Sequence, residues 1–317
     1  MTPAVLPEPL DSLLAERPQT ARVVGAILSA WPDHAKFLEK SFGARSPEQM
    51  DTSEEIAGAA LTLIGDRLPG FAEDYVWLCA RVREEELFFF REERYRLSTF
   101  AEAFQQVYDD FTFMSRYMNA LLITDLVWYN HLAGMHFYRS RGPDLMVGEK
   151  RFLEVGPGHG LLLFLALRDF APAEAAVWDI SEASMAQTRH ALAALGRDPG
   201  DVDFVMRNIV ADGPSPDQFD TIVFSEVLEH LEDPDRALRY LRSALAPDGR
   251  MIVNVPLNSP APDHLFLLRS PEEAVETLRR NGFNVLETAL FATRGMDVDR
   301  ALRQKASVSC WMIAAPA

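Results

Sequence analysis

Three glycines in five positions, Gly156, Gly158 and Gly160, follow the short apolar run of "RFLEVGPGHG" at Arg151 to Gly160. A strand-to-helix turn of that kind brings backbone close to a ligand, because no Cβ intervenes and positive φ costs little. Leu161 stands where G-x-G-x-x-G needs its third glycine, which argues against a nicotinamide or flavin dinucleotide. The following "LLLFLALRDF" has no lysine or serine where a P-loop holds phosphates and magnesium, which argues against a nucleoside triphosphate. The next β-rich run ends in "VWDIS", where Asp179 is placed to accept two hydrogen bonds from the vicinal hydroxyls of a ribose. Arg207 and Asn208 close the third such run. There the amide reads either as a contact to an adenine edge or as an asparagine in a turn.

A second concentration of chemistry is "SEVLEHL", Ser225 to Leu231. If it opens a helix, Glu226 and Glu229 share a face by i,i+3 spacing, with His230 one position on. Together with His264 from "PAPDHLFLLRSPEEA" these residues form a candidate chelating set for a divalent ion. The alternative is that the acids cap the helix and His264 packs on its loop. A third group, Tyr117, Trp128, Tyr129, Asn130, His131 and His136, crowds "YMNALLITDLVWYNHLAGMHFYRS", expected to be the last helix before the glycine-bearing half. Tyr129 and Asn130 are the candidates to orient an acceptor, and an aromatic face attracts a cation. An aromatic seam between two domains is the competing reading.

These residues must be held by two halves of different rhythm. From Pro18 to about Tyr138 apolar residues recur at helical spacing. "SPEQ" (Ser46 to Gln49) and "TSEE" (Thr52 to Glu55) carry the capping-box pattern of helix starts, and "LPGF" at Leu68 to Phe71 predicts a break. "RVREEELFFFREERYRL" reads as a solvated helix face. Beyond "RSRGPDLMVGEK" seven β-rich runs alternate with helical stretches: "RFLEV", "EAAVWDI", "VDFVMRN", "FDTIVFS", "RMIVNVP", "NVLETALF" and "SVSCWMIAAP". That alternation predicts a mostly parallel α/β sheet with helices on both faces. The boundary is expected near Arg139 to Gly148, where Gly142, Pro143 and Gly148 interrupt both patterns. The expected domains are 1–140, helical, and 141–317, α/β.

Across 317 residues, 48% hydrophobic and 25% charged residues with 10% aromatics are the profile of a globular chain. A formal net charge of −16 without a basic cluster argues against a nucleic-acid partner. Cys79 and Cys310, far apart and outside any CxxC spacing, indicate neither a disulfide framework nor a zinc knuckle, and the expected location is cytoplasmic. The N-terminal segment lacks a signal-peptide pattern and no apolar run approaches a membrane span, so neither export nor insertion is expected. Oligomeric state is left open.

With E-x-G-x-G-x-G at Glu154 to Gly160, Asp179 after the second strand, and "FDTIVFSEVLEHLEDPDRALRYLRSALAPDGRMIVNVP" for the fourth and fifth, the chain resembles class I S-adenosylmethionine-dependent methyltransferases from about Gly148 to Ala317. The resemblance implies a Rossmann-like, seven-stranded, mostly parallel sheet behind a helical N-terminal lid or substrate domain. It implies S-adenosylmethionine as cofactor, with Glu154 near the methionine amino group and the three glycines under methionine and ribose. Asp179 would hold the ribose hydroxyls, Ile180 pack on adenine, and Asn208 face the adenine amine. Ser225 would close the cofactor site at the end of the fourth strand, with Glu226 and His230 beside the transferred methyl. Pro157 and His159 depart from the family's usual small polar residues, and His159 is expected to face solvent. The Glu-x-x-Glu-His pattern with a later His resembles metal-dependent O-methyltransferases of catechol-like ubiquinone precursors or RNA 2′-hydroxyls. The expected activity is methylation of a small molecule in specialised metabolism. The alternatives are cofactor consumption without methylation, such as cyclisation to azetidine-2-carboxylate with release of methylthioadenosine, and cofactor binding without turnover.

Overall fold

The computed structural model describes residues 6–146, 150–215 and 217–317, so Gly148 lies outside the described residues. The first half forms α1 (Leu10–Leu14), α2 (Pro18–Ala30), α3 (Ala35–Gly43), α4 (Pro47–Ile64), α5 (Leu68–Glu92), α6 (Phe100–Ala103), α7 (Phe111–Val127) and α8 (Tyr129–Leu145). The Ser46 capping box starts α4 as expected. "TSEE" does not start a helix, because Thr52 falls within α4, where its hydroxyl meets His136 Nδ1 at 2.9 Å. The break expected at "LPGF" comes earlier, at Gly65 with φ 59°, and Pro69 sits in the first turn of α5, where its missing N–H is harmless. The expected last helix is two helices, since Trp128 is extended between α7 and α8.

The second half forms β1 (Arg151–Val155), α9 (Leu161–Asp169), β2 (Glu174–Asp179), α10 (Glu182–Ala194), β3 (Val202–Met206), β4 (Phe219–Ser225), α11 (Pro234–Ala244), β5 (Leu245–Leu257), α12 (Pro271–Arg280), β6 (Phe283–Ala292), α13 (Val298–Arg303) and β7 (Val308–Pro316). All seven expected strands are present, in the order β3-β2-β1-β4-β5-β7-β6. The first five are parallel, and β7 runs antiparallel between β5 and β6. The order reverses between β1 and β4, and an open α/β sheet binds ligands at that switch point, beyond the carboxyl ends of the strands. The glycine loop after β1 and "SEVLEHL" after β4 both lie there. No described helix is long and apolar enough to cross a membrane.

Successive strand residues feed opposite faces. Phe152, Val177, Val223, Ile252 and Trp311 join Val23, Ile56, Leu126 and Tyr138 in one buried cluster, so the helical half shares its core with the sheet. Leu153, Trp178, Ile222 and Val253 join Leu238, Leu241 and Leu278 on the other face. Helix α8 makes the junction and continues through Gly142 and Pro143, which do not interrupt it. Gly142 leaves room for a ring instead: a Cβ there would lie 1.9 Å from Phe170. Two turns earlier a Cβ at Gly134 would lie 2.0 Å from Trp311 Nε1.

Candidate active site

Glu154, the penultimate residue of β1, is buried in the interior, 3% exposed, with Oε2 lacking any hydrogen-bond partner among the described residues. Burial pushes its carboxyl up to about 8. The chain then turns through Gly156, Gly158 and Gly160, all at positive φ. A Cβ on Gly156 would strike Val227 at 2.7 Å, whereas one on Gly158 would meet only Met118 of α7, at 3.7 Å. The loop is thus tight against the segment after β4 and open at its middle glycine. Asp179 accepts from Ser181 N at 2.8 Å and Ser184 Oγ at 2.7 Å, and a carboxylate has lone pairs left for two ribose hydroxyls. Beside it Ile180 is 53% exposed, an apolar side chain awaiting a cover. Asn208 takes the turn reading: its Oδ1 accepts from Val210 N and Ala211 N, both at 2.9 Å. Only its amide N–H groups remain for an adenine.

The segment after β4 is not an α-helix. Glu226 has φ 52°, Leu228–His230 form one 3₁₀ turn, and α11 begins later, capped by Asp233. A left-handed residue cannot continue a right-handed helix, so neither the shared helical face nor the capping role expected of the acids is realised. Asn254 of β5 donates through Nδ2 to Ser225 Oγ at 3.2 Å and to Glu226 Oε1 at 2.7 Å. Glu229 is 2% exposed with neither carboxylate oxygen hydrogen-bonded. Burial, and then the charge of Glu226, push its pKa well up and favour the neutral acid.

Glu229, His230 and His264 bring ligand atoms within 4.8 Å of one another. His264 Nδ1 meets Ser259 O at 2.7 Å, which must accept, so the neutral ring leaves Nε2 bare. Burial and the neighbouring His230 lower its pKa to about 4. One carboxylate and two imidazoles are a donor set suited to a divalent transition ion. Glu226, a fourth expected ligand, is held toward Asn254 and is not in the cluster.

Two acids that sequence reasoning passed over tie the helical half to this site. Asp263 accepts from Tyr117 at 2.7 Å and Tyr108 at 3.2 Å, and lies 3.4 Å from His230 Nδ1. Asp125 of α7 lies 2.9 Å from His159 Nε2 and 3.4 Å from His131 Nδ1. Although burial opposes it, the two imidazoles hold Asp125 down to about 2. His159 therefore does not face solvent: it is 15% exposed, with Leu161 N donating to its Nδ1 and Asp125 at its Nε2. The signal was present, since an acid amid "LLITDLVW" sits on a helix too apolar to leave it in water.

Asn130 and Tyr129 go elsewhere. Asn130 Nδ2 donates to Ser309 Oγ of β7 at 3.0 Å, deep in the core, and Tyr129 packs beside Gly295. Trp128 Nε1 donates to Tyr75 at 3.0 Å. Of the expected aromatic and polar group, Tyr117 and His131 are the members brought to the acid cluster.

Residues 153–251 match the family model of a methyltransferase domain. None of the curated proteins matches the chain. Among solved structures it is similar to the mitomycin 7-O-methyltransferase MmcR, at 16% identity over 81% of this chain and 74% of that one, TM-score 0.54. It is also similar to the pyocyanin biosynthetic protein PhzM, at 19% identity over 78% and 72%, TM-score 0.51. A third likeness is to the [4+2]-cyclase SpnF, at 21% identity over 57% and 80%, TM-score 0.46. At these identities the first two show a shared fold, and their coverage extends past the α/β half into the helices.

Proposed function

We propose that this chain, a class I S-adenosylmethionine-dependent methyltransferase by fold and by its methyltransferase domain at 153–251, transfers a methyl group to a small-molecule acceptor in specialised metabolism. The observation that carries this is Glu154. A buried carboxyl with an orphaned oxygen, beside a glycine loop open at Gly158, calls for a polar partner, and the amino group of the cofactor's methionine moiety supplies one. Asp179 and exposed Ile180 continue the same surface with a diol acceptor and an apolar platform. The cofactor, when bound, presents a sulfonium methyl for in-line displacement; the chain must align an acceptor with it and receive any proton released. The acids and histidines after β4 and from α7 and α8 are the groups this reading assigns to those tasks.

Glu229, His230 and His264 favour a second element of this reading. A divalent cation held there would lower the pKa of an acceptor hydroxyl as a Lewis acid. The deciding experiment is incubation with S-adenosylmethionine and candidate acceptors, with mass spectrometry of the nucleoside product. S-adenosylhomocysteine is expected. Methylthioadenosine would replace transfer by cyclisation, and unconsumed cofactor with intact binding would leave a binding protein.

A further inference from the structure

We propose that His131, presented by the helical half and oriented by Asp125, is the base that takes the proton from a hydroxyl-bearing acceptor through its Nε2. The inference rests on the methyl-transfer reading and adds to it the acceptor class, a phenol or other hydroxyl.

Hydrogen-bond accounting gives the tautomer. Thr124 Oγ1 donates its single proton to Leu121 O at 2.8 Å, so toward His131 Nδ1, 3.3 Å away, it can only accept. The other neighbour of Nδ1 is Asp125 Oδ1 at 3.4 Å, also an acceptor. Nδ1 must therefore carry the proton, and the neutral ring leaves a lone pair on Nε2. Nε2 has no hydrogen-bond partner among the described residues, and the side chain keeps 18% of its surface exposed. A carboxylate behind Nδ1 and a free Nε2 in front is the arrangement by which an acidic residue sets a histidine up as a base. Thr124 and Asp125 sit at the end of α7 and His131 in the first turn of α8, so the break at Trp128 is what folds them together.

The other histidines of the site are less suited. His159 has both nitrogens engaged, by Leu161 N and Asp125, and pins the glycine loop. His230 also has an aspartate, Asp263, at its Nδ1 and keeps 23% of its surface exposed, but its Nε2 faces Glu229 at 3.7 Å within the candidate metal cluster. His264 is lowered to about 4, too weak a base at neutral pH. The charged groups facing His131 are Asp125 from α7 and Glu226 from the turn after β4. Burial opposes its protonation, and these two carboxylates outweigh burial and raise its pKa. In the proposed step the acceptor O–H bond breaks as its oxygen bonds the methyl carbon. The carbon–sulfur pair stays on sulfur as a neutral thioether, and the proton passes to Nε2, leaving an imidazolium that the charges of Asp125 and Glu226 favour.

The test uses the full chain with ¹⁵N-labelled histidine, saturated with S-adenosylhomocysteine, and long-range ¹H–¹⁵N correlation spectra from pH 5 to 9, the His131 signals assigned with His131→Gln. The expected result is an Nδ1–H tautomer with a bare Nε2 and an apparent pKa above that of an ordinary histidine. An Nε2–H tautomer, or an imidazolium persisting to pH 9, overturns the proposal. In turnover with catechol and with a secondary amine as probes, His131→Gln should lose at least a hundredfold in catechol methylation, the usual lower range for a general base. It should also lose the wild type's rise of rate with pH, while its Kd for S-adenosylhomocysteine and its Tm stay near wild type. Equal catechol rates for the two proteins overturn the proposal with methyl transfer intact, whereas methylthioadenosine from the wild type overturns the transfer reading itself. If neither probe turns over, the tautomer decides.

Discussion

Replacing Glu154 by Gln should make the protein more resistant to unfolding as pH rises, and should abolish a proton released on cofactor binding. Burial raises the Glu154 carboxyl to about 8, against 4.5 for an unperturbed glutamate. The folded chain therefore holds a proton that the unfolded chain gives up between those values, and the sign follows from linkage. Below pH 4.5 both states are protonated and there is no penalty. Stability then falls as pH climbs toward 8, and above 8 the loss is complete. At ~1.4 kcal/mol per pKa unit the full loss is about 5 kcal/mol as an upper bound, less whatever relaxation around an ionised Glu154 recovers. In Glu154→Gln that slope should disappear, so urea-unfolding free energies of the two proteins should converge near pH 5 and separate in favour of the variant by pH 8. The bound cofactor's ammonium reverses the preference by pairing with the ionised carboxylate. At pH 7 calorimetric titration with S-adenosylhomocysteine in buffers of different ionisation enthalpy should show proton release from the wild type and none from the variant, with weaker binding by the variant. Parallel pH–stability curves for the two proteins, together with binding heats independent of buffer, would refute the reasoning.

Asp179→Ala removes two charged acceptors for ribose hydroxyls at ~1.5–3 kcal/mol each, so Kd for S-adenosylhomocysteine should rise at least tenfold; an unchanged Kd would sink the ribose assignment. Gly134→Ala places a methyl 2.0 Å from Trp311 Nε1 and should cost about 1–3 kcal/mol, read as a fall of several degrees in Tm, and a Tm equal to wild type would show that α8 and β7 separate easily. Asn130→Ala leaves Ser309 Oγ without its buried donor at ~1–3 kcal/mol and should lower Tm while sparing cofactor affinity; a loss of rate at full stability would restore a substrate-facing role. If Glu229, His230 and His264 hold a divalent ion, manganese should raise the Tm of the wild type but not of His264→Ala, and activity should fall with a chelator; indifference of both to metal would dismiss it.

What the amino-acid sequence determined by itself was local and periodic. Seven β-rich runs alternating with helices fix a mostly parallel sheet through period and chain order, and three glycines after β1 need φ values that few other residues tolerate, so strands and loop were both legible, whereas the switch point came only with the strand order. Asp179 was legible for the same reason, as an acid at the end of a strand whose place in the order is set by topology. Only the tertiary structure decided the rest. The left-handed turn at Glu226 moved Glu226 onto Asn254 and left Glu229 buried beside His230 and His264, a consequence of β5 pairing beside β4 across twenty-nine positions of sequence. Asn130 looked catalytic because it is polar among aromatics, yet α8 turns it onto β7. Asp125 and Asp263 looked like ordinary acids and became partners of histidines more than thirty residues away. A histidine's chemistry depends on which nitrogen is bonded and how much water remains, and both are properties of neighbours that the chain assembles only when the helical half closes on the sheet.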